Sequence, residues 1–312
     1  MKVSSLKENL EVDGIYLVKA KTLSKAKNGS MFLNMDVIDD TGEINCKVWN
    51  EAERFSSVFE KGDIVKISGK IVKFKDKLQI SVSGIRPVQE SDNVKKEDFL
   101  PTTKHCVETM IKSLHDILST IENDYIKSLV LLFLEDTDFL FAFKKSVAAK
   151  EMHHNYRGGL LEHTLSVVKI CNFLGTHFPG VNKDILLAVA FLHDIGKTRE
   201  IDSDGEFDYT VEGNLKGHIM IGLEMIHEKM SEIDGFPYEL RLKIEHGIIS
   251  HHGELEWGAP VVPKTPEAII VHYADNVDAK TMRVLCGIDK CKDESSLFTP
   301  YDNALKRTFF KG

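Results

Sequence analysis

The sequence lacks what a membrane protein, a disulfide scaffold or a disordered chain would need. Its strongest apolar run, "SLVLLFL" at 128–134, meets Glu135 and Asp136, far short of the roughly 20 residues that span a bilayer. A core helix is expected there, and no membrane partner. The first residues, "MKVSSLKENLEVDG", contain no apolar h-region, so no secretory signal is expected. The five cysteines (Cys46, Cys106, Cys171, Cys286 and Cys291) include no C-x-x-C pair. That excludes a tight disulfide framework and points to reduced thiols in the cytoplasm. Cys286 and Cys291 read as buried side chains in preference to metal ligands. Prolines number only 8 in 312 residues, with no internal repeat and no low-complexity tract. With 42% hydrophobic and 28% charged residues, the chain reads as globular and long enough for two domains.

An overall excess of positive charge is also missing. The net charge of −8 argues against a protein that merely coats nucleic acid. The charge is uneven, however: residues 1–90 carry 15 Lys+Arg against 13 Asp+Glu, and the remainder 25 against 35. A local basic groove is compatible with both halves.

What is present falls into two patterns. Up to residue 90, "GIYLVKAKTL", "MFLNMDVID", "EINCKVW", "DIVKISGKIVKF" and "KLQISVSGIRPV" are rich in β-branched and apolar residues with stretches of alternation. Turn residues separate them, as in "KNGS" at 27–30 and "DDTG" at 39–42. "NEAERFSSVFE", after the third strand, reads as a short helix with Asn50 as its N-cap. Five strands with one helix after the third is the order of an all-β OB-fold barrel, a frequent binder of single strands. Polar residues 91–104 read as a linker. From 105 to 312 apolar residues recur at three- and four-residue spacing, which predicts an all-α helical bundle whose last long helix starts at Thr265 and Pro266.

In the barrel, alternation puts Met31, Leu33, Met35 and Val37 on the core side. Phe32, Lys47 and Trp49 then share the outer face, joined by Lys73 and Lys75. Aromatics interleaved with cations suit stacking on single-stranded bases.

Most of the 13 histidines lie in the helical part. His163 in "GGLLEHTL", His193 and Asp194 in "AFLHDIGK", His218 in "LKGHIM", His251 and His252 in "ISHHG", and Asp275 in "HYADNVDA" each sit on or at the end of a predicted helix. A lone histidine on a helix is usually a packing or surface residue. A set of them, where core helices prefer Leu or Val, is costly unless the groups are paired or hold a metal, and helices side by side can aim such residues into one pocket. Imidazole and carboxylate donors suit Mn²⁺, Fe²⁺, Mg²⁺ or Zn²⁺. Upstream, His154, Tyr156 and Arg157 precede Gly158–Gly159, where an arginine could clamp a phosphate and a tyrosine could stack on a base. Lys197, one turn after His193, could take a phosphate oxygen as a point charge.

The ordered pattern H…HD…H…H…D over about residues 105–285 resembles the HD-domain phosphohydrolase superfamily. That resemblance implies that His163, His193, Asp194 and Asp275 hold one ion and that Asp194 bridges to a second held by His218 and His251. For His252 three roles stay open: a further ligand, a phosphate contact, or a capping or packing residue. Two such ions can activate a water and stabilise both oxygens of a phosphoryl displacement. The HD-domain part joined to an OB-like part resembles, along essentially the whole chain, the YhaM family of 3′–5′ exoribonucleases. This implies a hydrolase, usually supported by Mn²⁺, that shortens single-stranded RNA, with some action on DNA. A homo-oligomer is compatible with it. The absence of a G-x-G-Y-P tail after His252 disfavours a cyclic-dinucleotide phosphodiesterase. A phosphohydrolase of small nucleotides, a di-iron oxygenase and a nucleic-acid-binding regulator with an inactive HD site stay open as alternatives.

Overall fold

The structure, a computed structural model, describes residues 1–26, 29–75, 77–149, 155–203, 207–289, 291 and 296–312. They form two units, Met1–Thr102 and a second that runs from Thr103 to Gly312.

In the first unit, β1 (Glu11–Lys25), β2 (Met31–Asp39), β3 (Gly42–Val48), β4 (Ile64–Phe74) and β5 (Lys77–Pro87) close into a barrel of order β1-β2-β3-β5-β4. β3 and β5 run parallel and the other neighbours antiparallel. This is the OB-fold order expected from the strand pattern. Because side chains alternate along a strand, β2 turns Leu33, Met35 and Val37 into the barrel and β3 turns Ile44, Cys46 and Val48 inward. Met31, at the strand's start, is only half-buried. Closure depends on Gly69: a Cβ there would lie 2.4 Å from the Ser81 carbonyl oxygen, so only glycine lets β4 and β5 approach at this bulge.

Two local expectations change. The short helix α1 (Ala52–Ser56) does not start on Asn50; its N-cap is Glu51, in the left-handed region at φ 54° and without a side-chain cap. The stretch 91–104 is not a free linker. It contains 3₁₀ turns at Glu90–Asp92 and Lys96–Phe99. Asp92 is gripped by the Arg86 guanidinium through two hydrogen bonds of 2.7 and 2.8 Å, and Phe99 and Leu100 are buried.

The second unit is helical: α2 (Val107–Leu118), α3 (Asp124–Leu134), α4 (Thr137–Lys145), α5 (Gly159–His177), α6 (Lys183–Leu192), α7 (Lys197–Glu200), α8 (Val211–Ser231), α9 (Tyr238–Ser250) and α10 (Pro266–Asp289). "SLVLLFL" is part of α3, with Leu129, Val130 and Phe133 in the core. No described helix is long and apolar enough to cross a membrane. The centre of the unit is α6, in which every residue from Ile185 to Leu192 is buried. A helix apolar on all sides must be surrounded by others. Phe191 accordingly meets Phe133, Phe139 and Phe143 edge to face, at centroid distances of 6.1 to 6.5 Å. Asn182 starts α6 by accepting a hydrogen bond from the Ile185 N–H. Whatever follows its last turn emerges inside the protein.

Tyr16 lies fully buried in the barrel with no hydrogen-bond partner for its hydroxyl. Burial, with the nearby charge of Asp39 adding to it, pushes this phenol up to about 12 from 10.0. The folded state therefore favours the neutral phenol, and the associated stability is present below pH 10 and lost as the pH rises through 12. Tyr16→Phe removes an unsatisfied buried hydroxyl and is expected to stabilise the protein by ~1 kcal/mol. Urea unfolding at pH 7 and at pH 11 measures both effects, and the variant should lose less stability at the higher pH.

Candidate metal centre and nucleic-acid face

Two helices of the second unit end on histidines. His193 is the C-cap of α6 and His251 the C-cap of α9. Each turns Nδ1 back onto a carbonyl of its own last turn: His193 Nδ1 to Ala190 O at 2.9 Å, His251 Nδ1 to Ile248 O at 2.6 Å. The imidazole N–H so adds a donor to a carbonyl of the helix end, where intrahelical donors run out, and Nε2 is left pointing inward with its lone pair. The same device recurs with other acceptors. His163 Nδ1 meets Asp278 Oδ2 at 2.6 Å, His218 Nδ1 meets Glu200 Oε1 at 3.1 Å, and His252 Nδ1 meets the Trp257 carbonyl at 2.9 Å. Such partners fix the tautomer and orientation of metal-binding histidines.

The Nε2 atoms converge on Asp194. Its Oδ2 lies 3.5 Å from His163 Nε2 and 3.4 Å from His193 Nε2; its Oδ1 lies 3.5 Å from His218 Nε2 and 3.7 Å from His251 Nε2. Asp275 Oδ1 stands 3.3 Å from His163 Nε2 on the first side. Two donor groups result, His163–His193–Asp194 and His218–His251–His252, each with its donor atoms within 4.8 Å of one another. His163, His193, Asp194 and His251 are at most 2% exposed. Asp194 Oδ1, His218 Nε2 and His251 Nε2 are buried without a hydrogen-bond partner. Buried polar atoms are normally paired, so an orphaned carboxylate oxygen facing two orphaned imidazole nitrogens fits a cation.

The charges agree with that use. Burial opposes ionisation of Asp194, but Lys197 and the surrounding imidazoles hold its carboxyl well below the usual range. Asp275 is likewise held low, by His163, against the effect of burial. Burial and the neighbouring His193 push His251 well down, and burial together with His218 lowers His252, so both keep free lone pairs at neutral pH. Burial works against a charge on His163, yet its hydrogen bonds to Asp275 and Asp278 outweigh this and carry it up to about 9. A metal taking its Nε2 therefore displaces a proton. Lys197 reaches the centre, where its ammonium sits 2.6 Å from Asp194 Oδ2. Burial opposes that charge and Asp194 more than restores it.

Two glycines make this approach possible. A Cβ on Gly196 would stand 2.0 Å from the His218 carbonyl oxygen, so the turn after Asp194 lies directly on α8. Gly217, at φ 71° and ψ 157°, breaks the helical course of α8 one residue before His218. His218 is then free to donate its backbone N–H to Glu200 at 3.0 Å as well.

The remaining expected residues are dispersed. Tyr156 is half-buried, and burial together with the charge of Glu162 raises its phenol; it is not a free platform for a base. Arg157 keeps a buried Nη1 without a hydrogen-bond partner among the described residues. His154 lies outside the described residues. Phe32, Lys47 and Trp49 belong to the first unit and do form one surface: the Phe32 and Trp49 rings stack at 5.1 Å, and Lys47 Nζ lies 4.9 Å over the Phe32 ring. Sequence reasoning missed Asp278 and Glu200. Asp278 had a signal, since it follows Asp275 by three residues and so shares its helix face; Glu200 had none.

Asp278→Asn keeps the shape of the side chain but loses the negative charge behind His163. Metal affinity is expected to fall about 10- to 100-fold, and the melting temperature in chelator at pH 7 to fall as well, since Asp278 no longer supports the charge on His163. Titration with Mn²⁺ in a calorimeter checks it.

Comparison with known proteins covers both units. Residues 160–280 match the HD domain model, and residues 16–88 match a model described as an OB-fold nucleic acid binding domain. The protein named 3′-5′ exoribonuclease YhaM of Geobacillus sp. (strain WCH70) is 34% identical over 302 residues, covering 96% of this chain and 92% of the relative. Those of Shouchella clausii (strain KSM-K16) and Bacillus subtilis (strain 168) are 36% and 33% identical over 271 and 270 residues, each covering 86% of this chain and 83% and 85% of the relative. With both domains matched and the similarity running through nearly the whole length, the chain belongs to the YhaM family.

Proposed function

We propose that this chain is a divalent-metal-dependent exoribonuclease that removes nucleoside monophosphates from the 3′ end of single-stranded RNA, with some action on single-stranded DNA. One observation carries the reading: the Asp194 carboxylate offers one oxygen to His163 and His193 and the other to His218 and His251, a donor set suited to two ions. Asp275 completes the first side and His252 the second. Nitrogen and carboxylate donors of this kind hold Mn²⁺, Fe²⁺, Mg²⁺ or Zn²⁺, of which Mn²⁺ is our working choice. When bound, such a pair supplies Lewis acidity that activates water and neutralises charge on phosphoryl oxygens.

The residues of the chain do the rest. The Nδ1 contacts hold five imidazoles in place, so no reorganisation is needed when substrate arrives. Lys197 shifts its ammonium from Asp194 toward a non-bridging phosphate oxygen, and Arg157 uses its unpaired Nη1 on the same group. Attack of water on the last phosphodiester breaks the bond from phosphorus to the 3′ oxygen of the penultimate nucleotide. That oxygen becomes the 3′ hydroxyl of the shortened strand, and a nucleoside 5′-monophosphate leaves. Phe32, Trp49 and Lys47 hold the upstream strand by stacking and charge, at about 1–3 kcal/mol per stacked base. An RNA substrate and five unpaired cysteines suit a cytoplasmic enzyme.

The test is a 5′-labelled single-stranded RNA incubated with the protein and Mn²⁺, alongside Asp194→Ala. A ladder that shortens from the 3′ end, absent with the variant and with chelator, is the expected result. Intact RNA, with hydrolysis confined to free nucleotides, would overturn the reading in favour of a small-nucleotide phosphohydrolase. Binding without any hydrolysis would overturn it in favour of a regulator.

A further inference from the structure

The C-terminal segment builds a wall along α10. Residues 297–311 double back on themselves: Phe298 bridges Phe310 and Asp302 bridges Arg307 in antiparallel fashion, and the Thr299 N–H donates to the Phe309 carbonyl at 2.8 Å. Arg283 of α10 fastens this loop with a 2.6 Å hydrogen bond from Nε to Asp302 Oδ2. Between the loop, α10 and Trp257 lies a cleft of about 910 Å³.

Its lining is unlike the rest of the protein. The chain carries a net charge of −8, yet among the described residues no aspartate or glutamate lines the cleft, whereas Lys280, Arg283, Lys306 and Arg307 do. Arg283 is neutralised by Asp302. Lys280, Lys306 and Arg307 have no carboxylate within ion-pair distance among the described residues. Trp257 forms part of the wall with 51% of its surface exposed, and Lys280 Nζ stands 5.0 Å from its ring. The ring leans on His272 at 5.9 Å, and Arg307 Nε donates to the Leu305 carbonyl at 2.8 Å. A half-exposed tryptophan beside cations that have no carboxylate partner among the described residues suits a base and its phosphates.

The cleft also begins where the metal centre ends. The Trp257 carbonyl holds His252 by Nδ1, and the His252 ring lies 4.4 Å from that of His251 and 5.2 Å from that of His218. Asn276, another lining residue, directly follows Asp275. The Trp257 backbone so touches the second donor group, while its ring lies against that of His272.

We infer that this cleft is the track for the 3′-terminal nucleotides of the single strand, with Trp257 stacking on a base and Lys280, Lys306 and Arg307 taking phosphates. The inference rests on the exonuclease reading and adds a nucleotide-holding site to the helical unit itself, apart from the barrel.

The chain has two tryptophans, so Trp49→Phe leaves Trp257 as sole reporter. Its emission is followed while a tetranucleotide, U₄, is added in chelator, where no cleavage occurs. Saturable quenching is expected. Adding Lys306→Ala and Arg307→Ala should weaken it and make the slope of log affinity against log salt shallower by about 1.4, the value for two phosphate contacts on a single strand. In full-length RNA degradation, Trp257→Ala should raise KM about tenfold, and Trp257→Phe should restore most of it. Unchanged melting curves would show that the variants fold. If RNA is shortened while Trp257 emission ignores U₄ and the charge variant keeps wild-type KM, the cleft assignment falls and the exonuclease reading stands. If Trp257 is quenched with the expected salt slope but no RNA is cut, the exonuclease reading falls and the cleft stands. Emission that responds to protein concentration and not to U₄ would overturn the inference in favour of an interface between copies.

Discussion

Burying a carboxylate among imidazoles is the constraint that organises the helical unit. Asp194 is 2% exposed, at a depth where an unpaired charge is far costlier than at the surface. Its neighbours are arranged around that cost. Lys197 supplies a positive charge on one oxygen, while His218 and His251 face the other without a hydrogen bond to it. One oxygen therefore has a cation supplied by the chain and the other faces only imidazoles. A bound cation would offset the cost of burial, so the metal affinity of the centre and the stability of its surroundings are coupled.

The fold supplies this arrangement through helix ends more than through helix faces. α6 is apolar on every side because it occupies the middle of the unit, and for that reason the residue after its last turn is delivered into the interior. α9 ends in the same way. Using an imidazole as the C-cap serves two needs at once: a carbonyl of the last turn gains a side-chain donor, and the opposite nitrogen is aimed. Gly196 and Gly217 then let the Asp194 turn and the His218 segment lie in contact. Any side chain at Gly196 would separate backbone from backbone and so pull apart the two halves of the donor set.

Under the proposed reading the two units would contribute different kinds of recognition. The barrel presents a stacked Phe32–Trp49 pair with Lys47 above it, a surface tolerant of sequence because every base has a π-face. The helical unit concentrates specific donors at one point and, beside them, collects unpaired cations around Trp257 in a protein that is acidic overall. Steering a polyanion toward such a locally basic cleft works through the local field and not through net charge.

The sequence alone determined the sequence of elements and the identity of the principal donors. Alternation of period two in "MFLNMDVID" and apolar spacing of three and four in "KDILLAVAFLHDIGK" are local properties, set by how side chains emerge from strands and helices. An ionisable group in an apolar run is visible in the same local way, so His193 and Asp194 stood out. Glu200 was invisible, since its role comes from the kink at Gly217 that brings His218 onto it. The two units divide within 91–104, but the order of that stretch was not legible: polar residues suggested a linker, whereas Asp92 finds Arg86 and Phe99 is buried. The C-terminal segment looked featureless because its pairing joins Phe298 to Phe310 and its anchor is Arg283. Tertiary structure alone decided which oxygen of Asp194 faces which histidines, and which cations are left unpaired around Trp257. Those outcomes depend on contacts between residues distant in the chain, and no local periodicity encodes them.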